Sequence, residues 1–215
     1  MSQNIYDDPE FFAGYATLDR SVKGLDGAPE WPTIQAMLPA LQGKNILDLG
    51  CGYGWFCRYA RDNQAASVVG LDISHKMLTQ AHSMTQGNGI VYRREDLETL
   101  SLSLTPGGML VFSAEHPIYT APLNQGWIKD KTGQQSWPVN HYQQEGTRIS
   151  NWFAEGVKKQ HRKLATWINA LIAAGFEIVC VDEWGPSAEQ IAENPALDEE
   201  KERPMVFLLS ARKPE

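Results

Sequence analysis

The ten residues that decide the fold are Asn45-Ile46-Leu47-Asp48-Leu49-Gly50-Cys51-Gly52-Tyr53-Gly54. Residues 46–49 suit a short buried strand, and the glycines that follow at every second position suit a backbone that turns sharply. Residues 55–61 have a helical composition. The glycines therefore lie between a strand end and a helix start, where free backbone N–H groups attract a polar or anionic ligand. This stretch predicts a nucleotide-type binding site.

Two further strands follow the same plan. Residues 67–73 and 90–93 are short apolar runs, and a helix with Ser74 as its N-cap separates them. Together with residues 45–61 they give a βαβαβ order. This order predicts a parallel sheet with right-handed crossovers.

The regular order breaks near residues 100–104. Residues 97–104 lead directly into Thr105-Pro106-Gly107-Gly108 and a strand at 109–114, with no helix long enough to connect two parallel strands. A strand–helix unit takes ~30 residues, so one such unit is missing, either deleted or omitted from the sequence as a disordered segment. We favour omission, because loss of a central strand would leave unpaired backbone that its neighbours could satisfy only by re-pairing.

The end of the chain completes the fold prediction. A helix at 164–172 precedes strands at 176–181 and 205–210, with no crossover helix between the two strands. This predicts an antiparallel hairpin that closes one sheet edge, so that the last strand is antiparallel. The fold class is therefore α/β, with a Rossmann-like doubly wound sheet that is mostly parallel.

Length and composition predict one domain spanning residues 1–215, since a chain of this size can bury a well-filled core. Residues 1–30 form an N-terminal flap rich in aromatic side chains. Residues 115–160, rich in Gly, Pro, Gln and aromatic residues, form a lid-like insertion.

Charge and cysteine usage restrict the partners. A net charge of −7 argues against nucleic acid, and no apolar run approaches the ~20 residues of a membrane span. Three cysteines without CxxC spacing suggest neither a disulfide framework nor a zinc site, and the aligned His75 and His82 lack a third metal ligand. We expect no metal, a cytoplasmic monomer or homodimer, and a small-molecule partner.

The glycine spacing selects among nucleotide-type ligands. The pattern Gly50-x-Gly52-x-Gly54 differs from the dinucleotide fingerprint, which would place its third glycine at Trp55, and no Gly-Lys-Ser/Thr follows it. With the apolar and acidic residues before it, the stretch 46–54 resembles the first motif of the class I S-adenosylmethionine-dependent methyltransferases, of the small-molecule, methyltransferase type 11-like kind. The resemblance implies that the backbone of Gly50, Cys51, Gly52 and Gly54 cradles the amino-acid part of the cofactor. It also implies that Asp48 orients the loop or the methionyl amine.

Further cofactor contacts follow from the same resemblance. Asp72, at the end of the second strand, can accept both ribose hydroxyl hydrogens, and Ile73 would pack on the adenine. Asp96 and Leu97, at the end of the third strand, would contact the adenine. Tyr15 and Arg20 of the flap could close over the cofactor.

The reaction is expected to be methyl transfer from S-adenosylmethionine to an O, N or C atom of a small molecule, with S-adenosylhomocysteine as product. Glu115 and His116 follow the strand at 109–114, at the edge where this fold places reacting groups, and are candidates for a general base or acceptor ligand. Two alternatives stay open. One is a non-catalytic regulatory protein that binds S-adenosylmethionine, and the other is an NAD-dependent oxidoreductase, against which Gly54 and Trp55 argue.

Overall fold

The computed structural model of the chain describes residues 3–87, 89–98 and 104–215. These residues form two compact units. The first takes the described residues of Met1–Ala28, Pro39–Ser103 and Trp152–Ala154, and the second takes those of Pro29–Leu38, Leu104–Asn151 and Glu155–Glu215. The single-domain organisation stays a prediction.

The helices and strands follow the predicted order. The helices are α1 (Pro9–Tyr15), α2 (Asp19–Val22), α3 (Trp31–Met37), α4 (Trp55–Asp62), α5 (His75–Met84), α6 (Pro117–Thr120), α7 (Leu164–Ala173) and α8 (Ala188–Glu193), with 3-10 turns at Ile5–Asp7, Gly24–Gly27 and Pro195–Lys201. The strands are β1 (Asn45–Leu49), β2 (Ser67–Asp72), β3 (Ile90–Arg94), β4 (Met109–Glu115), β5 (Ile128–Lys129), β6 (Gln135–Ser136), β7 (Gly146–Trp152), β8 (Ala154–His161), β9 (Glu177–Glu183) and β10 (Val206–Arg212).

The first unit is built on a parallel sheet of order β1-β2-β3, which confirms the predicted βαβαβ arrangement. Because the strands are parallel, the ends of all three lie at one edge of the sheet. Helices α4 and α5 cover it with small and apolar side chains, among them Cys57, Ala60, Leu78 and Ala81. The packed core therefore fixes the positions of the strand ends and of the loops that follow them.

A glycine in the middle of β2 makes this packing possible. A Cβ at Gly70 would lie 2.8 Å from both Cys57 Sγ and Tyr92 Cδ1 and 2.9 Å from Cys51 Sγ. No other residue fits there, because these side chains close over the strand from one side. Sequence reasoning missed this position, although a glycine inside a strand signals close approach.

The second unit contains a sheet of order β4-β10-β9, in which β10 is antiparallel to both neighbours. The prediction of an antiparallel last strand is confirmed. The predicted hairpin of β9 and β10 closes one edge of this sheet, with β9 at the edge and β10 in the middle. The physical reason is burial: Phe207, Leu208 and Leu209 are all fully buried, and consecutive buried residues require cover on both faces of a strand.

In the described residues, β1 and β4 each lie at an edge of their own sheet. Among the described residues, β1 pairs with β2 alone and β4 with β10 alone. Leu47 and Leu49 of β1 are 43% and 42% exposed, so the prediction that residues 46–49 form a buried strand is wrong for these two side chains. The predicted break at residues 100–104 falls largely on residues 99–103, which lie outside the described residues.

The predicted insertion at 115–160 is ordered as short elements. Helix α6 is followed by an antiparallel pair, β5 and β6, and by a second two-stranded sheet of β7 and β8. The turn between β7 and β8, Trp152–Ala154, belongs to the first unit. A role of this insertion as a lid stays a prediction.

Candidate functional site

The turn after β1 has a backbone that only glycine adopts readily. Gly50, Gly52 and Gly54 have φ values of 75°, 52° and 71°. A Cβ at Gly50 or Gly52 would meet nothing within 4 Å, whereas a Cβ at Gly54 would lie 2.2 Å from Tyr92 Oη. Gly50 and Gly52 therefore leave an open face beside the backbone, and Gly54 is required for packing.

The same turn is anchored to the end of β2. The N–H groups of Gly50 and Cys51 both donate to the Leu71 carbonyl, at 2.8 and 2.9 Å, and the Gly54 N–H donates to the Cys51 carbonyl at 2.8 Å. The predicted contact of the Cys51 backbone with the cofactor stays a prediction. These bonds hold the turn against the sheet, and its open face lies where the predicted cofactor would bind.

Asp72, the last residue of β2, joins two loops. Its Oδ2 accepts from the Gly52 N–H at 2.9 Å, and its Oδ1 accepts from the Ser74 N–H at 2.8 Å. Only 8% of the residue is exposed. Burial raises the pKa of the carboxyl group, against the effect of these two hydrogen bonds. The carboxylate lies at the sheet edge beside the glycine turn, and its contact with ribose hydroxyls stays a prediction.

Asp48 is a second carboxyl group behind the turn. Burial raises the pKa of Asp48, a hydrogen bond from Cys57 lowers it, and the charge of Asp72 raises it. The net result is a pKa of about 6. The Cys57 thiol donates to Asp48 Oδ2 at 3.2 Å. A bond with Cys51, followed by burial, raises the pKa of the Cys57 thiol, so Cys57 stays protonated and acts as a donor.

This arrangement makes stability depend on the protonation of Asp48. The folded-state pKa lies above the unfolded value, so the folded protein binds more protons than the unfolded chain between about pH 4 and pH 6, and stability falls as pH rises through that window. We expect Asp48→Asn to be more stable than the wild type by about 3 kcal/mol near pH 8 and equally stable near pH 3. Urea unfolding at both pH values measures this. An equal difference at the two pH values would contradict the assignment.

The structure also locates the predicted flap residues. Tyr15 at the end of α1 packs edge-on against Tyr6, with ring centroids 5.2 Å apart. Tyr53 of the glycine turn has a raised pKa, caused first by burial and then by Tyr15, so Tyr15 lies close to the turn. Arg20 is exposed on α2. The cofactor contacts of Tyr15 and Arg20 stay predictions.

The predicted adenine contacts lie after β2 and β3. Ile73 is half-buried, and its carbonyl accepts from Arg94 Nε at 2.9 Å. Asp96 is half-buried two residues after β3, and its Oδ1 accepts from the Glu98 N–H at 3.0 Å, while Leu97 beside it is exposed. The roles of Ile73, Asp96 and Leu97 at the adenine stay predictions.

The predicted catalytic pair lies at the end of β4 in the second unit. Only 2% of His116 is exposed, and its Nε2 lies 2.7 Å from Glu183 Oε1. Its Nδ1 accepts from the Ile118 N–H at 3.1 Å, which places the ring proton on Nε2, where it is donated to Glu183. Burial lowers the pKa of His116 more than Glu183 raises it, so the ring is neutral at neutral pH.

Glu183 and Lys159 are members of this cluster that sequence reasoning missed. Glu115 forms a short ion pair with Lys159, whose side chain is buried. Strands β4 and β9 flank β10 and are both antiparallel to it, so they run parallel to each other and Glu115 and Glu183 end at the same side of the sheet. The predicted strand ended at residue 181, whereas β9 continues to Glu183. Sequence reasoning therefore did not place Glu183 at a strand end. The role of Glu115 and His116 in catalysis stays a prediction.

Asp7 in the flap was also missed. Its carboxylate accepts from Ser74 Oγ at 2.6 Å and from the Lys76 N–H at 3.0 Å. These partners are 67 and 69 residues away in the chain. A single sequence carries no local signal for such a contact. Asp7 thus touches the loop that follows Asp72.

Residues 3–87, 89–98 and 104–215 contain no group of three His, Cys, Asp or Glu side chains that could hold a metal ion. In the same residues, no helix has the length and apolar character needed to cross a membrane.

Comparisons with known proteins identify the family. A family model described as a methyltransferase domain matches residues 46–122. The crystal structure of an S-adenosylmethionine dependent methyltransferase from Mesorhizobium loti is 45% identical, with a TM-score of 0.83, over 88% of this chain and 100% of that one. A structure from Listeria monocytogenes is 35% identical, with a TM-score of 0.81, over 89% and 100% of the two chains.

A relative from Haemophilus influenzae, which carries no functional name, is 33% identical over 99% of this chain and 98% of its own. The alignment runs over 253 positions, whereas this chain has 215 residues. The difference exceeds the ~30 residues of a strand–helix unit. The relative therefore has at least 38 positions in this alignment for which this chain has no residue.

Proposed function

Because the chain belongs to the class I S-adenosylmethionine-dependent methyltransferases and takes its methyl group from S-adenosylmethionine, we propose that it methylates a small-molecule acceptor. The observation that carries the proposal is the glycine turn, whose face at Gly50 and Gly52 has room for a ligand and whose backbone is bonded to Asp72. The net charge of −7 favours a small acceptor over nucleic acid.

The proposed cofactor contacts divide among three groups of residues. The backbone of the glycine turn holds the amino-acid part, and Asp48, when ionised, attracts the methionyl ammonium group. Asp72 accepts hydrogen bonds from the ribose hydroxyls, and the residues proposed at the adenine are Ile73, Asp96 and Leu97. Tyr15 and Arg20 are proposed to cover the cofactor from the flap.

When bound, the cofactor supplies a methyl group on a sulfonium, which is already a good leaving group. The protein therefore mainly has to hold donor and acceptor in line and to exclude water, and positioning of this kind can supply about 7–11 kcal/mol. A base is needed only for an acceptor that carries a proton. We assign acceptor binding and proton removal to the cluster of Glu115, His116 and Glu183 at the end of β4 and β9.

Within that cluster, Glu183 is the group best placed to meet an acceptor. Both ring nitrogens of His116 are occupied by Glu183 and Ile118, and Glu115 is paired with Lys159. The Glu183 side chain is more than half exposed, so one carboxylate oxygen is available while the other is held by His116. In this proposal His116 orients Glu183 and does not itself accept the proton.

The cellular setting is part of the proposal. Cys51, Cys57 and Cys180 are free, and the Cys57 thiol is used as a hydrogen-bond donor to Asp48. A reducing cytoplasm preserves that thiol. We propose a monomer or homodimer there, with no nucleic acid or membrane partner.

Titration calorimetry followed by a turnover assay tests the proposed function. We expect S-adenosylmethionine and S-adenosylhomocysteine to bind and NAD not to bind. A panel of small carboxylic acids, phenols and amines, scored by release of S-adenosylhomocysteine, then identifies the acceptor class. Binding without turnover on any acceptor would favour a regulatory protein, and binding of NAD alone would favour an oxidoreductase.

A further inference from the structure

The start of α5 is capped by two side chains, one of which comes from the flap. The first N–H groups of a helix have no partner inside the helix. Ser74 Oγ accepts from the Met77 N–H at 3.1 Å, as an ordinary N-cap does. Asp7 accepts from the two remaining early N–H groups, with Oδ1 3.0 Å from Lys76 N and Oδ2 3.3 Å from His75 N. The cap is complete only while Asp7 is in place.

Asp7 is itself held firmly. Ser74 Oγ donates to Asp7 Oδ1 at 2.6 Å, and Asn4 Nδ2 donates to Asp7 Oδ2 at 2.6 Å. Burial raises the pKa of Asp7, but the hydrogen bonds from Ser74, Lys76, Asn4 and His75 together lower it by more. The net result is a pKa of about 2. The group is therefore a carboxylate at neutral pH, at the helix end where the macrodipole favours negative charge.

The same bonds continue to the glycine turn. Ser74, which is fully buried, donates its N–H to Asp72 Oδ1, and Asp72 Oδ2 accepts from the Gly52 N–H. Asn4 Nδ2 also lies 3.4 Å from the Ile73 carbonyl. A continuous line of hydrogen bonds thus runs from Asp7 through Ser74 and Asp72 to Gly52.

The flap that carries Asp7 is packed in place by aromatic side chains. Phe11 is only 1% exposed, and its ring lies 5.1 Å from Tyr6, 5.6 Å from Trp152 and 6.0 Å from Phe153. The Phe153 ring occupies the space beside Gly14, where a Cβ would lie 2.5 Å from Phe153 Cδ1. Asp7 therefore reaches α5 from a docked element and not from a loose tail.

We propose that Asp7 is a positioning residue for S-adenosylmethionine: by capping α5 and holding Ser74, it fixes Asp72 and the Ile73 backbone in the orientation that binds the cofactor. This inference rests on the proposed cofactor roles of Asp72 and Ile73. It assigns to the N-terminal flap a function in cofactor binding that does not require the flap to touch the cofactor.

The test compares Asp7→Asn with Asp8→Asn, using S-adenosylhomocysteine as the probe in titration calorimetry. Asp8 is the N-cap of α1 and accepts from the Glu10 and Phe11 N–H groups. Asn caps a helix about as well as Asp, so Asp8→Asn removes a charge from the same flap without touching α5. We expect about tenfold weaker binding for Asp7→Asn, as for loss of a hydrogen bond to a charged group. Asp8→Asn is expected to bind like the wild type.

A double-mutant cycle separates positioning from general destabilisation. If Asp7 acts through Ser74, the fold-loss of affinity in the double variant Asp7→Asn/Ser74→Ala should be smaller than the product of the fold-losses in the two single variants. The free energy of unfolding, measured in urea, should still be lower in the double variant than in either single variant. Wild-type affinity in Asp7→Asn, an equal loss in Asp8→Asn, or fully multiplicative effects in the cycle would overturn the inference. Failure of the wild type to bind the probe would instead overturn the proposed cofactor site.

Discussion

Replacing Asp72 by alanine is expected to weaken binding of S-adenosylmethionine and S-adenosylhomocysteine by at least about a hundredfold. The substitution removes the carboxylate proposed to accept two ribose hydroxyl hydrogens, and a hydrogen bond to a charged group contributes about 1.5–3 kcal/mol. It also leaves the Gly52 and Ser74 N–H groups without their acceptor, so that the glycine turn loses its tie to α5. Both effects act on the same site.

Titration calorimetry with S-adenosylhomocysteine measures this loss, and Asp62→Ala provides the matched control. Asp62 is the last residue of α4, in the same unit, and is exposed. The control should bind the probe like the wild type. Circular dichroism and urea unfolding must show that Asp72→Ala remains folded at the assay temperature. A folded Asp72→Ala protein with unchanged affinity would rule out this carboxylate as a cofactor ligand.

The local parts of the site were predictable from the sequence because each depends on neighbours in the chain. Alternating glycines after an apolar run can form only a turn of this kind, and Ser74 after Asp72 is a strong N-cap at a strand-to-helix junction. The structure confirms the positive φ values of the glycines and the Ser74 cap. The fold class is confirmed for the same reason, since strand and helix periods alternate along residues 45–94.

The long-range parts were not predictable, because pairing between distant segments leaves no local pattern. In the sequence, Asp7 is one of two acidic residues that precede a helix. It comes into contact with Ser74 only in the folded protein. Glu183 meets His116 because β4 and β9 flank β10, an order that the sequence prediction did not include. The central place of β10 depends on the side chains that pack against Phe207 and Leu209. These side chains come from several segments of the chain, so the sequence of β10 alone does not predict its place.

Restoring a strand–helix unit between Glu98 and Leu104 is expected to stabilise the protein by about 2–4 kcal/mol. The unit would be a strand–helix segment of ~30 residues taken from a member of the same family, in place of residues 99–103. In the described part of the chain β1 pairs on one side only, and Leu47 and Leu49 are 43% and 42% exposed. A strand added to this edge would satisfy its N–H and C=O groups and bury part of both leucines.

Urea unfolding distinguishes this effect from that of a longer loop. The control inserts a Gly/Ser segment of equal length at the same place, which has no strand propensity and costs only loop entropy. The restored protein should show a higher free energy of unfolding and also a larger m-value, because more surface becomes buried in the folded state. Equal stability of the restored protein and the Gly/Ser control would mean that β1 is satisfied as it stands, and that the shorter chain folds as completely as its relatives.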